Sequence, residues 1–240
     1  MTEHISRKEL KHDKIRESFE HGAEAVYSHS QLAGIVIAVV LVIVIGWAGW
    51  KFYSDRQSLQ ASAALDDAMK TYNARIGLPN PGADATEISF PTEDARAQAS
   101  LQKFTSAADK FPRTNPGHLA RYYAALALED LDRHNQALEE LKKLSSTNDK
   151  ELAAMTQYQI ANIYARTGKT DDAVKTYRAL AEQRSVFVPR QMVLLELADL
   201  LRQSNPKEAF NLYQQVKVEF PNTSAADRAD RGLGMIAPAS

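Results

Sequence analysis

Residues 32–50, LAGIVIAVVLVIVIGWAGW, form a run of 19 with no charge and no strongly polar side chain. A helix rising about 1.5 Å per residue carries such a run across roughly 28 Å, close to the ~30 Å hydrocarbon core of a bilayer. In water the Val and Ile content would favour a strand. In lipid the backbone must satisfy its own hydrogen bonds, so helix wins. The run has no polar face to turn toward water, which argues against a core helix of a soluble domain. A cleavable leader has an apolar core of only about 7–15 residues behind a short basic segment. Here the core is longer, 31 residues precede it, and the cleavage-like Ala61-Ser62-Ala63 lies too far beyond it. The run therefore reads as an uncleaved signal anchor in the lipid bilayer. Trp47, Trp50, Lys51 and Tyr53 form an interfacial anchor at one end.

Charge on the flanks orients the span. Arg7, Lys8, Lys11, Lys14 and Arg16 precede it, whereas only Lys51, Arg56 and Lys70 follow over a similar length. This bias favours a cytoplasmic N-terminus. In the tail, residues 1–31, Phe19, Ala23 and Val26 share one helical face. The tail reads equally as an amphipathic helix lying on the membrane or as a solvated, charged extension. Its histidines, His4, His12, His21 and His29, are not spaced as metal ligands on one helical turn. Gly34 and Ala38 form a small-xxx-small pair that lets two such helices approach, so a homo-oligomer is compatible with the sequence.

Beyond the span, Ala, Leu, Glu, Lys, Gln and Arg dominate, and the whole chain has only 10 Gly and 9 Pro, so an all-α domain is expected. The first 31 residues hold 5 Lys/Arg and 6 Asp/Glu, which leaves 24 of each sign for the rest. A neutral domain has no long-range field to gather nucleic acid, so no nucleic-acid partner is expected. The chain has no cysteine. That excludes a disulfide framework, a thiolate zinc site, a cysteine nucleophile and attachment of lipid to a cysteine.

The domain, residues 55–235, repeats itself. Ala125 with Ala137, Ala161 with Ala173, and Ala198 with Ala209 align as small residues of a first and a second helix. First helices recur after 36 and 37 residues and second helices after 36 and 36. The tetratricopeptide period of helical hairpins is about 34. Two antiparallel helices approach closely only where side chains are small, and the alanines supply those places. Larger residues fill the hairpin core: Leu128 and Leu141, Tyr164 and Tyr177, Leu201 and Tyr213. Gly168 suits the left-handed residue that ends a helix, Asp171 and Asn205 suit caps, and Pro206 suits a first helical position. Ser100, Phe104 and Ala107, ahead of Pro112, mark the second helix of an earlier hairpin whose first helix would be 55–76. The Pro- and Gly-rich residues 77–94 read as a loop inserted between them. Residues 225–235 read as a capping helix. The expected architecture is a single N-terminal transmembrane helix followed by a tetratricopeptide-like helical-hairpin solenoid.

The charged ISRKELKHDK tail, one membrane helix, the SLQASAALDDAM stretch and divergent repeats resemble the membrane-anchored tetratricopeptide-like proteins of the YfgM type, ancillary subunits beside the bacterial Sec translocon. The FPNTSAADRA ending is also similar to repeats of outer-membrane assembly and cell-envelope coordinator proteins, which are usually lipoproteins or cleaved periplasmic proteins. The missing cysteine favours the first resemblance. It implies a chain of the bacterial inner membrane with a cytoplasmic N-terminus and a periplasmic domain. It also implies a scaffold or chaperone-like accessory whose partners are translocon subunits, periplasmic chaperones or unfolded clients. The alternative is an envelope-assembly or division scaffold with one defined partner.

No catalytic motif accompanies this architecture. There is no Gly-rich phosphate loop, GxSxG or HExxH, and no cofactor is implied. His118 and His134 read as solvated residues at helix starts or turns. Asp66-Asp67 and Asp171-Asp172 are helical neighbours that point about 100° apart, which makes no catalytic dyad. Binding in a concave groove lined by the first helices is the expected activity. The family pattern places Tyr122, Leu126, Met155, Tyr158, Asn162, Met192, Leu195 and Asp199 there. The set is mainly aromatic, aliphatic and thioether, which suits extended apolar segments. The competing assignment has several of these residues packing between hairpins.

Overall fold

Residue types that favour helix, interrupted at a few Pro, Gly and Thr positions, set the element order. The computed structural model describes residues 30–77, 88–145 and 147–236. The expected tail helix, its histidines, most of the inserted loop and the last four residues lie outside them. Among the described residues, the chain forms nine helices and one short pair of strands.

Helix α1, Ser30–Tyr72, runs 43 residues without interruption. The sequence suggested an apolar span at 32–50 and a fresh helix from Asp55. No Gly or Pro separates them, and the Ser54-x-x-Gln57 capping pattern is overridden, so the helix continues. It stops at Tyr72 rather than Ile76 because β1, Arg75–Ile76, pairs in parallel with β2, Ser89–Phe90. This two-residue ladder closes the base of the insertion. The chain divides at Arg56/Gln57 into two units. In the described part of the first, the apolar side chains stand exposed, Val42 at 71% and Ile45 at 69%. This stretch is long and apolar enough to span a membrane.

The second unit stacks the end of α1 with α2 (Glu93–Lys110), then pairs α3 (Asn115–Asp130) with α4 (His134–Lys142). Next come α5 (Lys150–Arg166) with α6 (Thr170–Ala181) and α7 (Arg190–Leu201) with α8 (Pro206–Glu219). Helix α9 (Ser224–Gly234) caps the stack. The end of α1, α3, α5, α7 and α9 are the first helices; α2, α4, α6 and α8 are the second. One series of second-helix positions is small and fully buried: Ser100, Ala137, Ala173 and Ala209. Four residues on, Phe104, Leu141, Tyr177 and Tyr213 are large and equally buried. Ser100 meets the size requirement because its Oγ donates to the Arg96 carbonyl of its own helix, at 2.7 Å. Three apolar clusters follow one another along the stack. Leu101, Leu119 and Tyr123 are shared by the first two, and Met155 and Tyr164 by the last two.

Connections are fixed by backbone chemistry. Phe111-Pro112 and Phe220-Pro221 end α2 and α8. The next threonines, Thr114 and Thr223, donate back to the Phe111 and Phe220 carbonyls and cap the following helices at Gly117 N and Ala226 N. Gly168 is left-handed, φ 76°, and Asp132 holds the equivalent place one repeat earlier at φ 55°. Asn205 caps α8 as expected, accepting from Glu208 N. Asp171 does not cap α6. That helix starts one residue earlier, at Thr170, and places Asp171 in its first turn, where its charge meets the positive end of the helix dipole.

Ala173→Leu and Ala161→Leu should each overpack a hairpin and cost about 1–3 kcal/mol in urea unfolding. A cost below about 0.5 kcal/mol would mean that the repeat register is misassigned.

Candidate binding groove along the first helices

The first helices present successive side chains to one shared surface, because their i, i+3 and i+4 positions line up from hairpin to hairpin. A cavity of about 510 Å³ opens there, with walls from the end of α1, α3, α5 and α7 and a floor reaching Tyr177 of α6. Three expected groove residues line it: Leu126, Tyr158 and Asn162. Met155 instead lines a second cavity of about 280 Å³ with Leu65, Leu119, Leu152 and Phe187. Met192 packs half-buried against the core, and Asp199 is bonded to Tyr213 and Arg228. Tyr122 and Leu195 are corrections: they are 7% and 3% exposed and belong to the core. Tyr122 shares its helical face with Leu126, four residues on, yet lies buried in the cluster that holds Leu128, Ala137 and Leu141, and Leu195 lies buried in the cluster that holds Tyr177 and Tyr213. At the end of the apolar run, Trp47, Trp50 and Tyr53 stand exposed on α1, while Lys51 Nζ lies 3.5 Å from Asp55 Oδ1.

The cavity is more polar than the sequence suggested. Tyr177 Oη donates to Asn162 Oδ1 at 2.5 Å, and Asn162 Nδ2 donates to Gln159 Oε1 at 2.7 Å. Tyr213 and Asp199 repeat the first of these bonds one hairpin later. Burial, followed by the charge of Glu196, pushes the Tyr177 hydroxyl well above its usual range. Tyr177 is therefore a neutral donor at every physiological pH. The Tyr158 ring stands edge-on to Tyr177, 6.2 Å between centroids.

Three carboxylates rim the cavity, and sequence reasoning missed all of them. Glu129 accepts from His134 Nδ1 at 2.9 Å and from Arg166 Nη1 at 3.2 Å. His134 is thus a paired residue rather than a solvated one. Glu196 accepts from Arg228 of α9 at 3.0 Å. Asp130 lines the cavity with Tyr72 and is in no ion pair among the described residues. Desolvation raises its pKa, and the Tyr72 hydroxyl and Arg96 only partly offset that. A spacing signal did exist: Glu129 and Asp130 close α3 where Ala165 and Arg166 close α5, one repeat of 36 residues later.

The second cavity adjoins a clamp. Glu151, in the first turn of α5, accepts from Ser185 Oγ at 2.5 Å and from the Val186 and Phe187 amides at 3.0 and 3.1 Å. This fixes the α6–α7 connection with Val186 and Phe187 79% and 66% exposed. The Ser185 hydroxyl, then the backbone amides, hold the Glu151 carboxyl below its usual range.

Tyr122→Ser should cost about 3–5 kcal/mol in urea unfolding, as for other large-to-small core changes, and Tyr158→Ser less than half of that. Equal costs would contradict the division between core and groove. The Glu151 clamp depends on pH with a defined sign. Its folded pKa is depressed, so its contribution is present above the unfolded value of about 4.3 and lost as pH falls through the folded value. Amide exchange at Val186 and Phe187 should accelerate relative to neighbouring loops on acidification through that window, and Glu151→Gln should remove the dependence.

A family model described as a tetratricopeptide repeat-like domain matches residues 27–189, and one described as a tetratricopeptide repeat matches residues 192–223. No curated protein matches the chain significantly.

Proposed function

This chain belongs to the tetratricopeptide repeat-like family, and from that premise we propose that it is a membrane-anchored, non-enzymatic scaffold or chaperone-like accessory of the bacterial inner membrane, working beside the Sec translocon. Its N-terminus is cytoplasmic and its repeats are periplasmic, and they engage translocon subunits, periplasmic chaperones or unfolded clients. The observation that carries the binding role is the cavity of about 510 Å³ running across the first helices of successive hairpins. Tyr158, Leu126 and Asn162 supply aromatic, aliphatic and amide contacts within it, the mixture that suits an extended segment. The anchor rests on the uncharged run at 32–50 and the exposed Trp47, Trp50 and Tyr53 at its end. The resemblance to the YfgM type adds the location and the translocon.

Two measurements test this. A reporter active only outside the cytoplasm should work when fused after Ser240 and stay silent in the N-terminal tail; the reverse pattern would overturn the localisation. A photoreactive residue at Gln159, irradiated in intact membranes, should capture translocon subunits, periplasmic chaperones or nascent clients. Capture of one envelope-assembly or division protein instead would replace this reading with that of a dedicated assembly scaffold. No adduct at all would remove the groove from the binding role.

A further inference from the structure

The cavity that serves this proposed function has a charge character that its amino-acid content alone does not announce. Its lining holds Glu129, Asp130 and Glu196 against one cation, Arg166. Glu129 is already shared between His134 and Arg166, and Glu196 is held by Arg228. Asp130 is left in no ion pair among the described residues, and it lines the cavity together with Tyr72. Arg96 stands over the Tyr72 ring at 5.9 Å, and its charge acts on Asp130 without making a contact pair. Beside Asp130 the walls are aromatic and aliphatic: Tyr72, Tyr158 and Leu126.

We infer that this cavity takes a cationic side chain, arginine or lysine, from an extended partner segment whose neighbouring residues are apolar. The inference rests on the groove reading above and narrows its partner. The guanidinium or ammonium would sit between Asp130 and the face of Tyr158, with Leu126 receiving a flanking aliphatic group. Aromatic faces and a carboxylate act together on a cation, because the ring quadrupole and the anion both favour it. At the α7 wall of the cavity the molecule already pairs an arginine with carboxylates. Arg228 reaches from α9 to the first helix before it and lies 3.0 Å from Glu196 Oε1 and 2.5 Å from Asp199 Oδ2. That arginine engages Glu196, whereas Asp130 on the α3 wall has no such partner among the described residues. Acidic segments are excluded by the same arrangement, since Asp130 and its neighbours would repel them.

The test uses the full-length protein in mild detergent and fluorescein-labelled peptides carrying one central residue between paired leucines. The central residue is arginine, citrulline (the same shape without charge) or glutamate. The arginine peptide should bind about tenfold more tightly than the citrulline peptide, a preference weakened by salt as expected for a partly exposed pair. The glutamate peptide should bind least. Asp130→Asn should bring the arginine peptide to within about twofold of citrulline while leaving citrulline binding unchanged, as expected when only the charge term is removed. Equal binding of arginine and citrulline peptides to the unaltered protein would overturn the cation preference and leave the groove reading intact. Binding of neither would sink both. A loss that Asp130→Asn imposes equally on both peptides would mark Asp130 as structural and also overturn the inference.

Discussion

Close approach of paired helices at one small buried position per hairpin governs the repeat unit. Ser100, Ala137, Ala173 and Ala209 leave no room for a larger side chain. Each is followed four residues later by a large group, Phe104, Leu141, Tyr177 or Tyr213, which therefore lies on the same helical face. Small and large positions alternate down the stack, so every hairpin buries its large residue beside the small one. The arrangement also explains why each cluster shares residues only with its neighbour. No hairpin completes a core alone, and stability is passed along the solenoid as nearest-neighbour contacts.

Tyrosine at the last two large positions connects this core to the groove. The rings of Tyr177 and Tyr213 are buried, yet their hydroxyls emerge on the first-helix side and meet Asn162 and Asp199. A buried hydroxyl without a partner costs free energy, so each tyrosine requires a polar acceptor on the first helix. Asn162 and Asp199 are thereby fixed by the core, and they in turn orient Gln159 and Arg228. The polar part of the groove is rigid for the same reason that the core is closed.

Much of the fold was legible in the sequence because repetition and size selection act within about 40 residues. Ala125, Ala161 and Ala198 carried the first helices, Pro206 and Asn205 the start of α8, and Gly168 a left-handed turn. What was not legible depends on three-dimensional placement. The continuity of α1 through residues 51–57 is decided by the absence of a stop, which is a weaker signal than a cap. The β1–β2 pair joins segments separated by the insertion and leaves only two residues to show for it. In the groove, the family spacing gave the correct helices but not which positions their neighbours cover, since Tyr122 and Tyr158 hold equivalent places 36 residues apart. Tyr122 and Leu195 therefore fell inside, while Leu126, Tyr158 and Asn162 fell on the cavity. The carboxylates were invisible because their importance lies in which cations they meet, and Glu129, Arg166 and His134 are brought together from three helices.

A chain with 29 basic and 30 acidic residues has almost no net charge, so selectivity must come from local imbalance. Several of its charged groups cancel in pairs: Arg121 with Glu140, Arg178 with Glu208, Lys217 with Asp230. The more exposed of these, Arg178–Glu208 and Lys217–Asp230, contribute little to stability, typically about 0–1 kcal/mol each. Their greater consequence is to remove competing fields from the surface. Asp130, in no ion pair among the described residues, stands beside the aromatic wall of the groove cavity. An occupant of that cavity would touch α1, α3, α5 and α7 together, hence all three apolar clusters. Binding there favours the assembled stack over any state in which one hairpin has opened, by the ordinary linkage between occupancy and stability. The groove is therefore a surface at which a ligand can act on the whole repeat unit.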